Sequence, residues 1–219
     1  MKFLIKPLQR LLLGSTLALS LPLAVWANGN AVEQFKNYIV QNKSARGDFV
    51  QQQVQVKDGK PKVQKTLSGN FIFSRPGKFI WVYQKPYEQV LQADGAQLYL
   101  YDKDLNQVTI KELGNALAAS PAAILFGSSG AADLEKNFTL KEAGTKQGLQ
   151  WLDAIPKSKD SQFEHIGIGM ADGVPVALEL RDSFGQVSLL TLKNLEKNPA
   201  LKADQFKFVI PAGADVLRP

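Results

Sequence analysis

The sequence predicts a mainly β protein, built as one large antiparallel sheet with two helical insertions. Short runs of alternating apolar and polar residues recur along most of the chain, and such alternation is typical of half-buried strands. Turn signals such as Asp58-Gly59 and Asp172-Gly173 separate the runs at short intervals, which favours hairpins and antiparallel pairing. Only the segments 31–42 and 115–137 depart from this alternating pattern.

The amino terminus has the features of a secretory signal peptide. Basic residues come first, an apolar stretch follows, and Val25-Trp26-Ala27 offers small residues at the usual cleavage offsets. The apolar stretch is short for a membrane span, and an uncleaved anchor is the alternative. We therefore expect residues 1–27 to be a cleaved signal peptide and residues 28–219 to form a single domain.

Composition restricts the classes of protein. The chain has no cysteine, so it is expected to be exported without disulfides, and it lacks the lipidated cysteine of a membrane-anchored lipoprotein. The formal charge is +6, and three basic residues lie in the signal, so residues 28–219 carry +3. No run of five like charges occurs, which argues against nucleic-acid binding. A weak attraction to anionic membranes or acidic partners remains open, and the periplasm is the expected location.

The elements follow from residue spacing. Segment 31–42 spaces Val32, Phe35 and Ile39 as an amphipathic helix does. Segment 115–137 is alanine-rich and predicts one or two helices, with Pro121 early in the second and Gly127 at its end. Strands are predicted at 46–56, 66–74, 78–84, 87–92, 97–101, 107–111, 138–142, 148–154, 162–169, 174–181, 186–193 and 205–210.

The segment 69–95 is the most informative part of the chain. Alternate residues of a strand share a face, so two sets of side chains are each expected to lie together: Phe71, Phe73 and Arg75, then Phe79, Trp81 and Tyr83. The aromatic residues alone would suit an ordinary core. A buried guanidinium is costly unless its donors are satisfied, so Arg75 either holds another segment by hydrogen bonds or faces water at the Pro76-Gly77 turn.

No pattern indicates an enzyme, a cofactor or a metal site. The single histidine, His165, has no cysteine or metal-binding cluster to join. The sequence GSSG at 127–130 lacks the spacing of a nucleophile elbow and follows a predicted helix. Residues 102–107 resemble the start of a calcium loop, but Gln107 replaces the required glycine, so a polar hairpin turn explains them better.

Several motifs together make the chain similar to the LolA family of periplasmic outer-membrane lipoprotein carriers. They are GDFVQ (47–51), GNFIFSRPGKFIWVY (69–83), LQADGAQLYLYDKDLNQVTI (91–110), SPAAILFG (120–127) and FKFVIPAGADV (206–216). The resemblance covers nearly all of residues 28–219. It implies an unclosed antiparallel β-barrel, or half-barrel, covered by an α-helical lid.

The resemblance also implies a function and its residues. Such a carrier takes acylated lipoproteins from an inner-membrane ABC-type releasing complex, passes them to an outer-membrane acceptor, and needs only to be a monomer. Arg75 matches the arginine that holds the lid through backbone carbonyls, with Leu125 and Phe126 on the lid opposite it. The expected acyl-chain cavity is lined by Phe71, Phe73, Phe79, Trp81 and Phe35. Two other functions stay open: a lipid- or lipoprotein-sensing module and a lipid hydrolase.

Overall fold

A computed structural model of the protein describes residues 29–57, 60–113, 123–126, 129–159, 161, 163–202 and 204–219. The predicted signal peptide, the Asp58-Gly59 turn and the predicted roles of Pro121 and Gly127 lie outside these residues. Within the described part of the chain, no helix is both long and apolar enough to span a bilayer.

The described residues contain three helices and twelve strands. The helices are α1 (Ala31–Gln41), α2 (Ala123–Phe126) and α3 (Ala131–Asn137). The strands are β1 (Ser44–Lys57), β2 (Lys60–Ser74), β3 (Lys78–Lys85), β4 (Gln89–Asp94), β5 (Gln97–Asp102), β6 (Gln107–Glu112), β7 (Phe138–Lys146), β8 (Leu149–Pro156), β9 (Phe163–Ala171), β10 (Val174–Asp182), β11 (Val187–Lys197) and β12 (Asp215–Leu217).

All twelve strands belong to one sheet, in the order β12-β6-β5-β4-β3-β2-β1-β11-β10-β9-β8-β7. Every neighbouring pair is antiparallel except β12 and β6, which run parallel. The end strands β12 and β7 do not pair with each other, so the sheet is open. The predicted fold class, a mainly β chain with an unclosed antiparallel sheet and helical insertions, is confirmed.

The carboxyl-terminal strand prediction is wrong. Residues 205–210 form a turn and an extended segment outside the sheet, and the last strand is β12. The alternating apolar side chains of this segment cover the sheet instead of pairing with it. Gln92 Nε2 donates to the Phe206 carbonyl oxygen at 2.9 Å, and the Phe208 ring stacks on Tyr99 with centroids 4.5 Å apart. Alternation of apolar and polar residues indicates that one side of a chain segment is buried. It does not show whether the backbone also pairs with a neighbouring strand.

The two faces of the sheet bury different sets of side chains. On β4 and β5 the paired residues Gln92 and Tyr99 lie under the carboxyl-terminal segment. Their neighbours Ala93 and Leu98, also a pair, point to the other face and join the main core. We call that second face the core face, and the helices lie on it.

Helix α1 lies over the part of the sheet formed by β7, β8, β9 and β10. Asn30 caps its amino terminus by accepting from the Glu33 backbone N–H at 3.0 Å. The Glu142 carboxylate on β7 accepts from the first two backbone N–H groups, those of Ala31 and Val32. The apolar side of the helix, including the predicted Phe35, is buried. The helix therefore covers part of the core face, as its spacing predicts.

Candidate functional site

Four aromatic side chains form a continuous patch on the core face of β2 and β3. The register pairs Phe71 with Trp81 and Phe73 with Phe79, so the two sequence sets face the same side. All four are buried, with Trp81 the most exposed at 3%. The Phe71 and Trp81 rings stack with centroids 5.4 Å apart. The structure therefore brings together the four sheet residues predicted to line an acyl-chain cavity.

Phe49 of β1 extends this patch, and the sequence analysis did not assign it to the site. Its ring stacks on Trp81 at 4.1 Å and meets Tyr83 edge-on at 5.3 Å. The available signal was its place in the GDFVQ motif (47–51) on a strand adjacent to β2. We call Phe49, Phe71, Phe73, Phe79 and Trp81 the aromatic patch.

Phe126 of α2 covers the aromatic patch from above. Its ring centroid lies 4.6 Å from that of Phe73, and within 5.9 Å of the centroids of three other patch residues: Phe71, Phe79 and Trp81. The side chain is fully buried, as is Ile124, and Leu125 is 2% exposed. The ring therefore fills the volume directly above the aromatic patch.

Arg75 lies at the end of β2, where the core face meets the carboxyl terminus of α1. It is 8% exposed, which excludes the alternative of a turn arginine facing water. Its Nε donates to the Asn42 backbone carbonyl oxygen at 3.1 Å, and its backbone N–H donates to the Lys43 carbonyl at 2.7 Å. The guanidinium carbon lies 4.8 Å from the Phe73 ring centroid, a cation–π contact. Arg75 thus bonds to the residue that caps α1.

Burial sets the ionisation of the pair formed by Arg75 and Tyr38. Loss of water lowers the pKa of Arg75 to about 10, and the nearby Tyr38 opposes this shift. Burial likewise raises the pKa of Tyr38 to about 12, opposed by the positive charge of Arg75. Both values leave Arg75 charged and Tyr38 neutral near neutral pH, so a cation is maintained inside largely apolar surroundings.

Two polar features lie within or beside the aromatic patch. The Tyr83 hydroxyl donates to the Gln51 side-chain oxygen at 3.1 Å. The Trp81 Nε1–H is buried, and no described residue accepts its hydrogen at ordinary hydrogen-bond geometry. A buried donor without an acceptor costs about 1–3 kcal/mol. Burial raises the pKa of the neighbouring Tyr83 hydroxyl to about 12, and the Trp81 N–H opposes this shift.

The remaining predicted site residue, Phe35, is buried in α1 and belongs to the same continuous core as the aromatic patch. It comes from the helix that ends at Asn42, whereas the patch comes from β1, β2 and β3. The core thus combines sheet, α1 and α2, the three parts that the lid hypothesis requires.

The single histidine, which was considered for catalysis, lies elsewhere. His165 Nε2 and Asp153 Oδ1 are 2.8 Å apart, but neighbours of both, Ile166 and Ala154, are the residues that join the core. Because alternate strand residues point to opposite faces, the His165–Asp153 pair lies on the face opposite the aromatic patch.

The 102–107 segment is a hairpin turn between β5 and β6, as predicted. Asp102 Oδ1 accepts from the Leu105 backbone N–H at 3.1 Å. The Asn106 side chain donates to the Gly213 carbonyl at 2.9 Å. The first bond lies within the turn, and the second ties the turn to the carboxyl-terminal segment. Among the described residues, no cluster of three or more histidine, aspartate or glutamate side chains is placed to hold a metal ion.

Comparison with known proteins identifies close relatives. The family model described as outer membrane lipoprotein carrier protein LolA matches residues 41–209. The outer-membrane lipoprotein carrier protein of Cupriavidus necator is 55% identical over 192 residues, covering 88% of this chain and 90% of that protein. The protein of the same name from Ralstonia nicotianae is 52% identical over 201 residues, covering 90% and 92%.

A solved structure supports the fold independently. An uncharacterized conserved protein from Thermus thermophilus superposes with a TM-score of 0.53 and 13% sequence identity, covering 86% of this chain and 97% of that one. At this identity the similarity shows a shared fold, and it carries no information about ligands.

Proposed function

This chain belongs to the LolA family of outer membrane lipoprotein carrier proteins, and from that premise we propose that it is a periplasmic lipoprotein carrier. It binds the acyl chains of lipoproteins released from the inner membrane and delivers them to an outer-membrane acceptor. The observation that carries this proposal is the aromatic patch covered by Phe126, because it provides an apolar surface that opens by moving one short helix.

The energies favour exchange of Phe126 for an acyl chain. Full burial of a phenylalanine side chain is worth about 1.5–3 kcal/mol, and each buried methylene of an acyl chain contributes about 0.8 kcal/mol. About four methylenes therefore offset the loss of the Phe126 contacts. A long acyl chain offers several times that number, so it can displace the ring with free energy to spare.

A carrier must also release its cargo, and Arg75 supplies the opposing free energy. Its hydrogen bond to the Asn42 carbonyl favours the covered state. A charge-assisted hydrogen bond contributes about 1.5–3 kcal/mol. Cargo binding has to offset that amount when the cover opens, so part of the acyl binding energy returns at delivery. In this role Arg75, Leu125 and Phe126 hold the lid, defined here as α1 and α2 together.

The partners follow from the energetics of transfer. Extraction of an acyl anchor from a bilayer is costly, so an inner-membrane ABC-type complex that hydrolyses ATP is the proposed donor. The acceptor at the outer membrane completes the route. The carrier acts as a monomer in the periplasm, without a cofactor and without catalysing a reaction, and residues 1–27 direct its export.

The direct test is release of cargo from spheroplasts. Purified protein comprising residues 28–219 is added to spheroplasts that synthesise a labelled outer-membrane lipoprotein. We expect the label to leave the membrane in a soluble complex with one carrier molecule per lipoprotein. A cargo variant without its acylated cysteine serves as the control for acyl dependence.

The same experiment can contradict the proposal. If the releasing complex is active and the label stays in the membrane, the protein is not a carrier, and the lipid-sensing alternative replaces it. Turnover of acyl esters by the purified protein would instead support a hydrolase.

A further inference from the structure

Strands β1 and β2 extend beyond their neighbours at one end of the sheet. The first residue of β11, Val187, pairs with Val54, and the last residue of β3, Lys85, pairs with Ser68. Beyond these positions β1 and β2 pair only with each other. We call the described residues of this extension, 55–57 and 60–65, the β1–β2 arm.

The arm is strongly basic. Its nine residues include four lysines and no acidic residue, and Asp58 between its two strands brings the net charge of residues 55–65 to +3, equal to that of the whole of residues 28–219. Lys60 and Lys62 are exposed, and neither forms an ion pair with any described residue. Lys65 donates to the Tyr87 hydroxyl at 2.8 Å. The arm therefore presents exposed positive charge, at Lys60 and Lys62, on an extension of the sheet.

An exposed aromatic side chain stands next to the arm. Phe184 lies in the turn between β10 and β11 and is 89% exposed. The turn is well ordered by hydrogen bonds, because Asp182 Oδ1 accepts from the backbone N–H groups of Phe184 at 2.9 Å and Gln186 at 2.8 Å. Since β11 pairs with β1 and neighbouring strands lie about 4.8 Å apart, the turn and the arm occupy the same end of the sheet.

Protection of a free strand edge explains only part of this surface. Lysine and proline on an exposed edge hinder unwanted strand pairing, and the arm carries both, with Pro61 between Lys60 and Lys62. That role gives no reason for Phe184, since an exposed phenyl ring beside an edge promotes association. The lysines and the proline also argue against a partner that adds a strand to the arm.

We propose that this end of the sheet docks onto an anionic phospholipid surface. The arm lysines are attracted to the lipid headgroups, and the Phe184 ring inserts at the level of the acyl boundary. Lysine is a compact charge on a flexible stem and suits a diffuse negative surface. The combination of basic residues and an aromatic side chain is typical of proteins that lie on membranes. The inference goes beyond the carrier function and holds for the cargo-free protein.

Vesicle sedimentation tests the inference. Residues 28–219 are mixed with vesicles of phosphatidylcholine alone or of phosphatidylcholine with phosphatidylglycerol. We expect binding to the anionic vesicles only, weakened by added salt. Each lysine near an anionic surface changes binding about five-fold, so K60Q/K62Q should bind about 25-fold more weakly. F184S should bind about ten-fold more weakly because the buried ring is lost.

Matched variants separate charge, position and folding. K60R/K62R keeps the charges and should bind as the unsubstituted protein does. K193Q/K197Q removes two exposed lysines from the other part of β11 and should have little effect. Equal binding to both vesicle types, no binding, or full binding by K60Q/K62Q would overturn the inference.

The spheroplast assay distinguishes a protein partner. If the unsubstituted protein does not bind vesicles and K60Q/K62Q fails to release cargo, the arm contacts an acidic protein and the membrane proposal is wrong. If K60Q/K62Q loses vesicle binding yet still forms the soluble cargo complex with purified, detergent-solubilised cargo, docking and carrying are separate properties. If the unsubstituted protein binds vesicles but does not release cargo, the result counts against the carrier function alone.

Discussion

At the scale of single residues, the site depends on polar groups that are buried among apolar side chains. Arg75 is the clearest case, because its Nε bonds to Asn42 while its guanidinium rests on Phe73. Trp81 is the second case, since its ring stacks within the patch while its N–H lacks an acceptor at ordinary hydrogen-bond geometry among the described residues. In the proposed function, movement of the lid breaks the Arg75 hydrogen bond and lets the Trp81 N–H bond to a ligand. Each group therefore changes the free energy of lid opening.

Trp81→Phe should separate these two properties of the tryptophan. The variant keeps an aromatic ring and removes the N–H donor, so a ligand with an ester carbonyl loses one hydrogen bond. A net hydrogen bond is worth about 0.5–1.5 kcal/mol, and we expect ester-containing acyl probes to bind up to about ten-fold more weakly. The measurement is titration of the ester probe and of a hydrocarbon probe of similar length. An equal loss for both probes would assign the effect to ring size alone.

Tyr38→Phe should change the stability of the protein only in alkaline solution. In the unfolded chain the phenol ionises near pH 10, while burial in the folded protein raises its pKa to about 12. Ionisation therefore lowers the free energy of the unfolded state first, and the folded state loses stability as the pH rises from 10 to 12, by about 2–3 kcal/mol in total. Arg75 acts in the opposite sense, because its folded pKa of about 10 lies below its unfolded value.

Thermal unfolding at about pH 8 and about pH 11 tests the Tyr38 prediction. The drop in Tm between these two pH values should be smaller for Tyr38→Phe than for the unsubstituted protein. The comparison at the lower pH is the control for any general loss of packing. An identical drop for both proteins would show that Tyr38 is not the group responsible.

At the scale of elements, close contact between β2 and β3 positions the aromatic patch. A Cβ atom at Gly69 would lie 1.8 Å from the Val82 carbonyl oxygen, which is a backbone atom that cannot turn aside. The absence of a side chain at this position allows the two strands to approach. The register then places Phe71 opposite Trp81 and Phe73 opposite Phe79.

Gly69→Ala should therefore disrupt β2–β3 pairing. We expect a loss of more than about 2 kcal/mol in the free energy of unfolding, typical of overpacking against a rigid neighbour. Gly130→Ala is the matched control, because no atom lies within 4 Å of a Cβ there. Chemical denaturation of both variants is the measurement, and similar stabilities for the two would contradict this account of the strand approach.

In the proposed function, helix α2 controls access to the patch, which it contacts through Phe126. Phe126→Ala removes the ring that covers the patch, so we expect an apolar fluorescent probe to bind at least about ten-fold more tightly. The expected loss of stability is about 3 kcal/mol or less, because truncating a buried phenylalanine costs up to about 3–5 kcal/mol and the helix can move to fill the space.

Leu134→Ala provides the control for Phe126→Ala. Leu134 is fully buried in α3, and its truncation should destabilise the protein without increasing probe affinity. If both variants bind the probe equally, general loosening explains the effect, and Phe126 is not a specific cover.

At the scale of the whole molecule, the covered state joins the two halves of the sheet. Helix α1 is tied to β7 through Glu142, and its carboxyl terminus is tied to β2 through Arg75. The open edges β12 and β7 lie at the two ends of the strand order. The helices lie outside the strand ladder, so movement of the proposed lid breaks no strand pairing.

Arg75→Leu should leave the fold intact and impair delivery. Loss of a charge-assisted hydrogen bond of about 1.5–3 kcal/mol shifts the balance toward the open state by about 10- to 100-fold. Cargo should still leave spheroplasts in a soluble complex, and its transfer to outer membranes should slow by a similar factor. Arg46→Leu, an exposed arginine paired with Glu196, is the control. Unimpaired transfer by Arg75→Leu would exclude this role for Arg75.

Much of the fold could be predicted because its signals are local. The alternation in β2 and β3 predicted which side chains share a face, and hairpin turns predicted antiparallel pairing, so the first eleven strands are confirmed in type and in place along the chain. The order of strands in the sheet, with β1 beside β11, was not predicted. The segment 205–210 could not be assigned correctly, since its alternation serves packing over Gln92 and Tyr99 rather than ladder pairing.

The sequence by itself determined the large antiparallel sheet, the amphipathic α1 and the aromatic strands around Arg75, because strand and helix periodicity depend on neighbours within one element. Only the tertiary structure decided that Phe49 joins the patch, that Phe126 covers it and that Arg75 bonds to Asn42. Those contacts join residues far apart in the chain, and their geometry depends on register and on how helices settle on the sheet. Packing of distant elements, which no local pattern encodes, converts an aromatic core into a covered site.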